Sequence, residues 1–289
     1  SAKYIDAVKK AELRPSISHD LSRLKSMMST GSPLAPESFD YVYDNIKSDL
    51  HLASISGGTD IVGCFVLGNP IGPVWRGEIQ TRALGLAVDV FDHEGNSVRY
   101  EAGDLVCTKP FPSMPIGFWA DADGSKYKSA YFENYQNVWC HGDWVELTQR
   151  GGMIIYGRSD ATLNPGGVRI GTAEIYREVE QFLEVSEGLC VGQNWDGDTR
   201  VILFIAMRDT YLLTDELQYR IRARIRQNCT ARHVPEIIIS APDLPRTRSG
   251  KITELAVRNV IEGRTIKNAE ALANPESLKF FENLVELKK

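Results

Sequence analysis

Apolar positions recur at helical spacing in the first fifty residues. Residues 3–13 and 20–29 read as helices interrupted near Pro15. In the second, Leu21, Leu24 and Met28 fall at i, i+3 and i+7, with Ser18 or Asp20 as a cap. Ser29-Thr-Gly-Ser-Pro33 is a turn cluster, after which Phe39, Val42, Tyr43 and Ile46 share one face of a helix over residues 36–48. From about 50 to 157 the period shortens. Runs at 51–55, 77–80, 87–91, 103–108, 137–140, 144–147 and 152–156 are divided by Gly, Pro and Asn, which predicts hairpins or a small β-barrel rather than βαβ units. Asp92-His-Glu-Gly-Asn96 predicts a turn between strands 88–91 and 98–100. Beyond Asp160 the pattern changes again. Helices are expected over 173–183, from the Thr214 cap to about 229, and over 252–261 before Gly263. Strands are expected at 201–207, unbroken and so buried on both faces, and at 236–240. The boundary is placed at 158–160, giving domains 1–158 and 159–289.

Composition narrows the class. The 289 residues are 43% hydrophobic and 25% charged, in the range of a folded globular chain rather than a disordered one, a collagen-like repeat or a coiled coil. Net charge is −5, and neither side of the boundary carries the basic excess of a nucleic-acid module. The longest apolar run, 201–207, is far short of a membrane span. Five scattered cysteines without a C-x-x-C pair argue against a disulfide framework or zinc site and for a reducing, cytoplasmic setting. The chain opens on Ser1 with no signal-peptide pattern, which leaves processing or membership of a longer protein open.

Four segments carry candidate chemistry. In Ser56-Gly-Gly-Thr-Asp60, Gly57 and Gly58 permit close backbone approach to a ligand, and Thr59 with Asp60 suits phosphate and Mg²⁺; a plain glycine turn is the blander reading. In His141-Gly-Asp143 a carboxylate after a glycine turn can accept two ribose hydroxyls, or the segment is a hairpin turn. Gly157-Arg-Ser-Asp160-Ala-Thr-Leu-Asn-Pro-Gly-Gly167-Val-Arg169, running on to Glu174, joins turn chemistry to two planar cations, Arg158 and Arg169; its alternative is a linker hairpin. In Pro245-Arg-Thr-Arg-Ser-Gly250-Lys251 a lysine on a loop can bring positive charge to a transferring group. The arginines at 220, 222, 224 and 226 read as a solvated helix face, with contact to a ligand's phosphates the weaker alternative.

The order of these four segments resembles the adenylate-forming synthetase superfamily. Gly31-Ser-Pro-Leu34 looks like its adenine-side loop, and Gly103-Asp-Leu through Gly117-Phe-Trp119 like a second motif. Within the superfamily, residues 54–61, 103–110, 157–165 and Ala231-Arg-His-Val-Pro235 are similar to the acetoacetyl-CoA synthetase (acetoacetate–CoA ligase) branch. The resemblance covers nearly the whole chain but only the C-terminal part of the superfamily pattern. It implies an α/β and α+β chain: the end of a large domain with its β-barrel over 1–158, then a small mobile lid over 159–289. The superfamily's Ser/Thr/Gly-rich, lysine-ended phosphate loop has no counterpart before Gly31, so an incomplete ligase with exposed apolar surface is expected.

The resemblance implies roles. Gly31 and Asp143 would lie beside adenine and ribose, with Arg158 assisting. Thr59 would contact the α-phosphate. Asp60, where most of the superfamily carries glutamate, would sit near Mg²⁺. Gly57 stands where acetyl-CoA synthetases carry tryptophan, leaving room for acetoacetate. Asp160 would be the hinge, Gly167 would line the pantetheine path, Arg169 would approach phosphate, and Lys251 would close over the carboxylate and α-phosphate. ATP, Mg²⁺, CoA and acetoacetate are the implied partners. Another short-chain acyl-CoA synthetase and a non-catalytic nucleotide- or partner-binding remnant are the alternatives.

Overall fold

The computed structural model describes residues 1–248, 250–266 and 269–288, and divides into two compact units, Ser1–Tyr156 and Gly157–Lys289. In the first, α1 (Ala2–Lys10) is capped by the Ser1 hydroxyl, which accepts from Tyr4 N–H, and buries Ile5 and Val8. A single turn, α2 (Pro15–Ser18), precedes β1 (Ser26–Ser29). The helix expected over 20–29 is therefore absent. Asp20 accepts from Ser22 N–H in a local turn that competes with helix, and residues 26–29 instead pair in parallel with β2 (His51–Ser54). Between these strands, α3 (Pro36–Tyr41) continues as a π-helical turn, Val42–Ile46. Phe39, Val42, Ile46 and Leu52 join Ile5 and Val8 in one core.

The β-rich region builds two sheets around another core. One holds β3 (Ser56–Gly58), β4 (Gly63–Leu67) and β5 (Thr81–Arg82). The other holds β6 (Val88–Phe91), β7 (Ala102–Cys107), β8 (Trp139–Leu147) and β9 (Met153–Arg158). An isolated bridge joins Ile79, just before β5, to Met153 of β9, and the two sheets enclose Phe65, Val88, Leu105, Trp139, Val145 and Met153 without closing into one ladder. The strand expected at 77–80 is reduced to that bridge. The 88–91 and 98–100 hairpin shrinks to a bridge from Phe91 to Ser97, while β6 pairs along its length with β7. Helix α4 (Ser125–Tyr131) packs Tyr127 and Tyr131 against Trp139. Large apolar side chains stay exposed beside this core, among them Val62, Leu84, Ile116 and Trp119.

In the second unit β10 (Val185–Trp195) is antiparallel to β11 (Asp198–Met207), which is parallel to β12 (Ile237–Ala241), so β11 is central. Alternation along β11 divides the core. Val201, Leu203 and Ile205 meet Ile175 and Val179 of α5 (Thr172–Val179) and Leu217, Ile221 and Ile225 of α6 (Asp215–Asn228). Ile202 and Phe204 meet Val257 of α7 (Glu254–Ile261) and Phe281 and Leu287 of the C-terminal segment. The expected helix over 173–183 stops at Val179, and that over 252–261 starts at Glu254 because Ile252 bridges Arg246.

No disulfide joins any of the five cysteines. Burial raises the thiol pKa of Cys64, Cys107 and Cys190, and pushes Cys229 up to about 11. Among the described residues no helix is long and apolar enough to cross a membrane.

Candidate active site

In the first unit the parallel pairing of β1 and β2 sends two glycine segments out from the carboxyl ends of adjacent strands. Such strand ends are where open α/β sheets take ligands. Gly31 lies in a turn at φ +97°, a backbone region that disfavours side chains, with open space around it. On the β2 side the chain runs through β3 into Thr59 and Asp60. The tyrosine hydroxyl of Tyr131 donates to Asp60 Oδ2 at 2.5 Å, and its ring stacks on Trp139 at 3.6 Å between centroids. One carboxylate oxygen of Asp60 is thus fixed by α4. Among the described residues no group of three or more His, Cys, Asp or Glu side chains forms a metal cage. A single carboxylate fits Mg²⁺, which is usually held by one or two carboxylates together with substrate phosphates and water.

Gly57 is also required by the packing of the strands around it. A Cβ there would stand 2.1 Å from the Gly63 carbonyl oxygen and 2.5 Å from Cys64 Cα. Glycine is demanded by the close, bulged pairing of β3 with β4. Gly58 is crowded by side chains rather than backbone: a Cβ would meet Asp60 Oδ1 at 1.9 Å and His141 Cε1 at 3.0 Å. The Gly58–Asp60 turn therefore abuts the His141-Gly-Asp143 segment.

That segment is not a turn between two strands. It is a bulge inside β8: Asp104 pairs with Trp144 and Val106 with Cys140, so His141, Gly142 and Asp143 together oppose Leu105. Gly142 takes φ +81° and the Asp143 side chain is buried. The bulge re-aims a carboxylate within an otherwise regular strand. Nearby, Tyr135 donates to Asp104 Oδ2 at 2.8 Å, so the aspartate of Gly103-Asp-Leu braces the sheet.

The other expected site residues lie in the second unit, which begins at Gly157: Arg158 ends β9, and the rest occupy three separate turns. Arg158 and Asp160 approach to 3.6 Å, both half exposed, and Arg258 donates to the Asp160 carbonyl at 3.3 Å. Leu163 and Ile170 exchange both backbone hydrogen bonds at 3.0 Å, closing a hairpin with Gly166 and Gly167 at its tip, both at positive φ. Asp198 accepts Gly166 N–H on both oxygens, at 2.9 and 3.0 Å. Gly167 and Arg169 are exposed on this hairpin. Behind it Glu174 accepts from Gly171 N–H at 3.0 Å and lies 3.4 Å from His233 Nε2. Burial would raise the Glu174 carboxyl, but the His233 and Gly171 hydrogen bonds hold it below its ordinary value.

Lys251 is exposed in a tight turn. Thr247 N–H donates to the Lys251 carbonyl at 2.8 Å, and Lys251 N–H to Thr247 Oγ1 at 3.2 Å. The arginine run on α6 is largely structural. Arg220 pairs with Glu184 at 2.9 Å, Arg222 donates to the Pro235 and Glu236 carbonyls, and Arg224 pairs with buried Glu178 at 2.9 Å.

The fold is that of the C-terminal part of the adenylate-forming synthetases. An acetoacetyl-CoA synthetase from Streptomyces lividans superposes with a TM-score of 0.92 at 40% identity, over 100% of this chain and 45% of that one. The anthranilate CoA ligase AuaEII shares the fold at a TM-score of 0.73, with 20% identity over 89% of this chain and 48% of its own. Within that class the chain is a relative of the acetoacetyl-CoA synthetases. It is 62% identical to the one from Rhizobium meliloti over 288 residues, covering 100% of this chain and 44% of that protein. It is 49% identical to the Xenopus tropicalis protein, covering 99% of this chain and 43% of that one. The chain thus spans less than half the length of these relatives. No family model matches it.

Proposed function

We propose that this chain supplies the C-terminal machinery of an ATP-dependent acetoacetate–CoA ligase. The 62% identity to an acetoacetyl-CoA synthetase along the entire chain is the observation that carries the reading. In the first step a carboxylate oxygen of acetoacetate attacks the α-phosphorus of ATP, and the bond to pyrophosphate breaks. In the second the CoA thiolate attacks the acyl carbon and AMP leaves. Mg²⁺, when bound with ATP, supplies positive charge to the phosphates.

The residues divide these tasks. Thr59 offers its hydroxyl to the α-phosphate, and Asp60, one oxygen of which Tyr131 steadies, would be the carboxylate that holds Mg²⁺. Asp143 accepts the ribose hydroxyls, Gly31 borders the adenine, and Arg158 and Arg169 approach ribose and phosphate oxygens. Lys251 places its ammonium against the charge that develops on the α-phosphate. A thiol cannot reach the acyl carbon while that lysine is in place, so Asp160 serves as hinge for its withdrawal and Gly167 lines the thiol's approach. The β3–β4 pairing also requires glycine at position 57, so this glycine does not by itself argue for an enlarged acyl pocket. Acetoacetate as substrate therefore rests on the relatives.

ATP–pyrophosphate exchange tests the reading. This chain replaces the matching segment of the Rhizobium meliloti relative, with the unaltered relative as control. Acetoacetate-dependent exchange is expected, reduced on the order of 100-fold or more by Lys251→Ala. Exchange stimulated by acetate but not acetoacetate would transfer the assignment to another short-chain synthetase. A folded chimera without exchange would favour a non-catalytic binding role.

A further inference from the structure

We propose that Arg246 and Asn274 are positioning residues for adenylation, through a brace in which residues 271–274 pair along the base of the Lys251 turn. The proposal rests on the reading of Lys251 as the adenylation lysine. The geometry of the brace stands on its own.

The Lys251 turn has two edges. On one, Arg246 bridges Ile252 and Thr247 holds the backbone of Lys251. On the other, Thr247 bridges Leu272, Arg248 N–H donates to the Ala271 carbonyl at 3.4 Å, and Ala273 N–H donates to the Arg246 carbonyl at 2.8 Å. Residues 271–274 thus act as a short extra strand beside the turn. Leu272, Leu278, Phe281 and Leu287 are buried, so apolar burial keeps this segment docked on its own unit.

Side chains lock the junction. Asn274 Oδ1 accepts Arg246 N–H at 2.9 Å, while its Nδ2 donates to Asp243 Oδ2 at 2.6 Å and to the Leu244 carbonyl at 2.9 Å. The Arg246 guanidinium donates to Glu187 Oε2 on β10 at 2.6 Å and to Asp243 Oδ1 at 2.8 Å. Glu187 is 5% exposed, so its charge needs that partner. The guanidinium fork, fixed and planar, ties the turn to the sheet, and the amide ties it to the tail.

A loop that delivers one ammonium to a reacting phosphate must hold it to within a fraction of an ångström. A misplacement of about 1 Å can cost about 100-fold in rate. Gly250 takes φ +83° with open space where a Cβ would stand, so the brace adds to the hydrogen bonds that Thr247 makes within the turn. The brace is therefore expected to act on the step that uses Lys251 and to spare the step from which it has withdrawn.

The test uses Asn274→Ala, because Arg246→Ala strands a buried carboxylate and endangers folding; Arg246→Lys keeps the charge and serves as the second variant. In the chimera described above, Asn274→Ala should lower the kcat of ATP–pyrophosphate exchange about tenfold or more, at nearly constant KM for ATP. Conversion of supplied acetoacetyl-adenylate and CoA to thioester should stay within about twofold. Arg246→Lys should fall between wild type and Asn274→Ala. In parallel, tryptic cleavage after Arg248 and Lys251 is followed on the unmodified chain and on Asn274→Ala, and should quicken several-fold in the variant without a change in thermal midpoint. Equal loss in both half-reactions, or unchanged exchange with unchanged cleavage, overturns the proposal. Should the parent chimera show no exchange, the ligase reading fails while the cleavage rates still decide whether the brace holds the turn.

Discussion

At Gly57 the cost of any side chain is set by backbone atoms, which cannot rotate away as a side chain could. Gly57→Ala should destabilise the first unit by roughly 1–3 kcal/mol, seen as a lower thermal midpoint, because the Gly63–Cys64 backbone must move. Glu254 illustrates the opposite problem, a charge the fold tolerates poorly. Its carboxyl accepts the Tyr176 hydroxyl at 3.0 Å. Burial raises its pKa above 4.5, and the nearby Asp160 charge adds to the rise although the Tyr176 hydrogen bond opposes it. An acid with a raised folded pKa binds its proton more tightly in the folded state. Stability therefore falls as pH climbs from about the ordinary value to the raised one, and stays reduced above it. Glu254→Gln keeps an acceptor for Tyr176 without the charge. It should raise the thermal midpoint at pH 7, and the gain should vanish as pH drops below the ordinary carboxylate range. A gain that persists in acid would show that the charge is not the cause.

At the scale of elements, hairpins and bulges hold the candidate groups, and each is held in turn by something distant in sequence. Asp198 grips the tip of the 163–170 hairpin through Gly166 N–H. Asp198→Ala should accelerate hydrogen exchange at that amide while leaving the Leu163 and Ile170 amides protected. Such supports explain what the sequence disclosed. The candidate residues stand out because they cluster in short runs of Gly, Asp, Arg and Lys, and α6 was legible because Leu217, Ile221 and Ile225 keep a strict spacing. The supports were not, because Asn274 lies 28 residues from Arg246 and Glu187 lies 59. Local spacing carries no trace of such pairs. Pattern also failed where pairing overrode it. Residues 26–29 have helical apolar spacing yet form a strand, since β2 supplies backbone partners. The β10 strand escaped notice because Gly188 and Gly192 interrupt its alternation, and β8 looked like two strands because its bulge carries a glycine at positive φ.

At the scale of the molecule, each unit owns its cores. The residues buried on the two faces of β11 all lie beyond Gly157, and those around Trp139 all lie before it. A fragment of residues 157–289 should therefore fold by itself and give one cooperative melt, while the whole chain gives two transitions by calorimetry. A single transition for the whole chain, with an unfolded fragment, would show that the units need one another.

The raised thiols acquire a meaning once the proposed chemistry is set beside them. An acyl-adenylate is an electrophile that reacts with any thiolate it meets, and the reaction is useful with one partner. Cys64, Cys107, Cys190 and Cys229 all have pKa values lifted by burial, so at neutral pH they stay in the weakly nucleophilic protonated form. In the proposed reaction these four sulfurs are poor rivals for the activated acyl group, which is left to the incoming thiol of CoA.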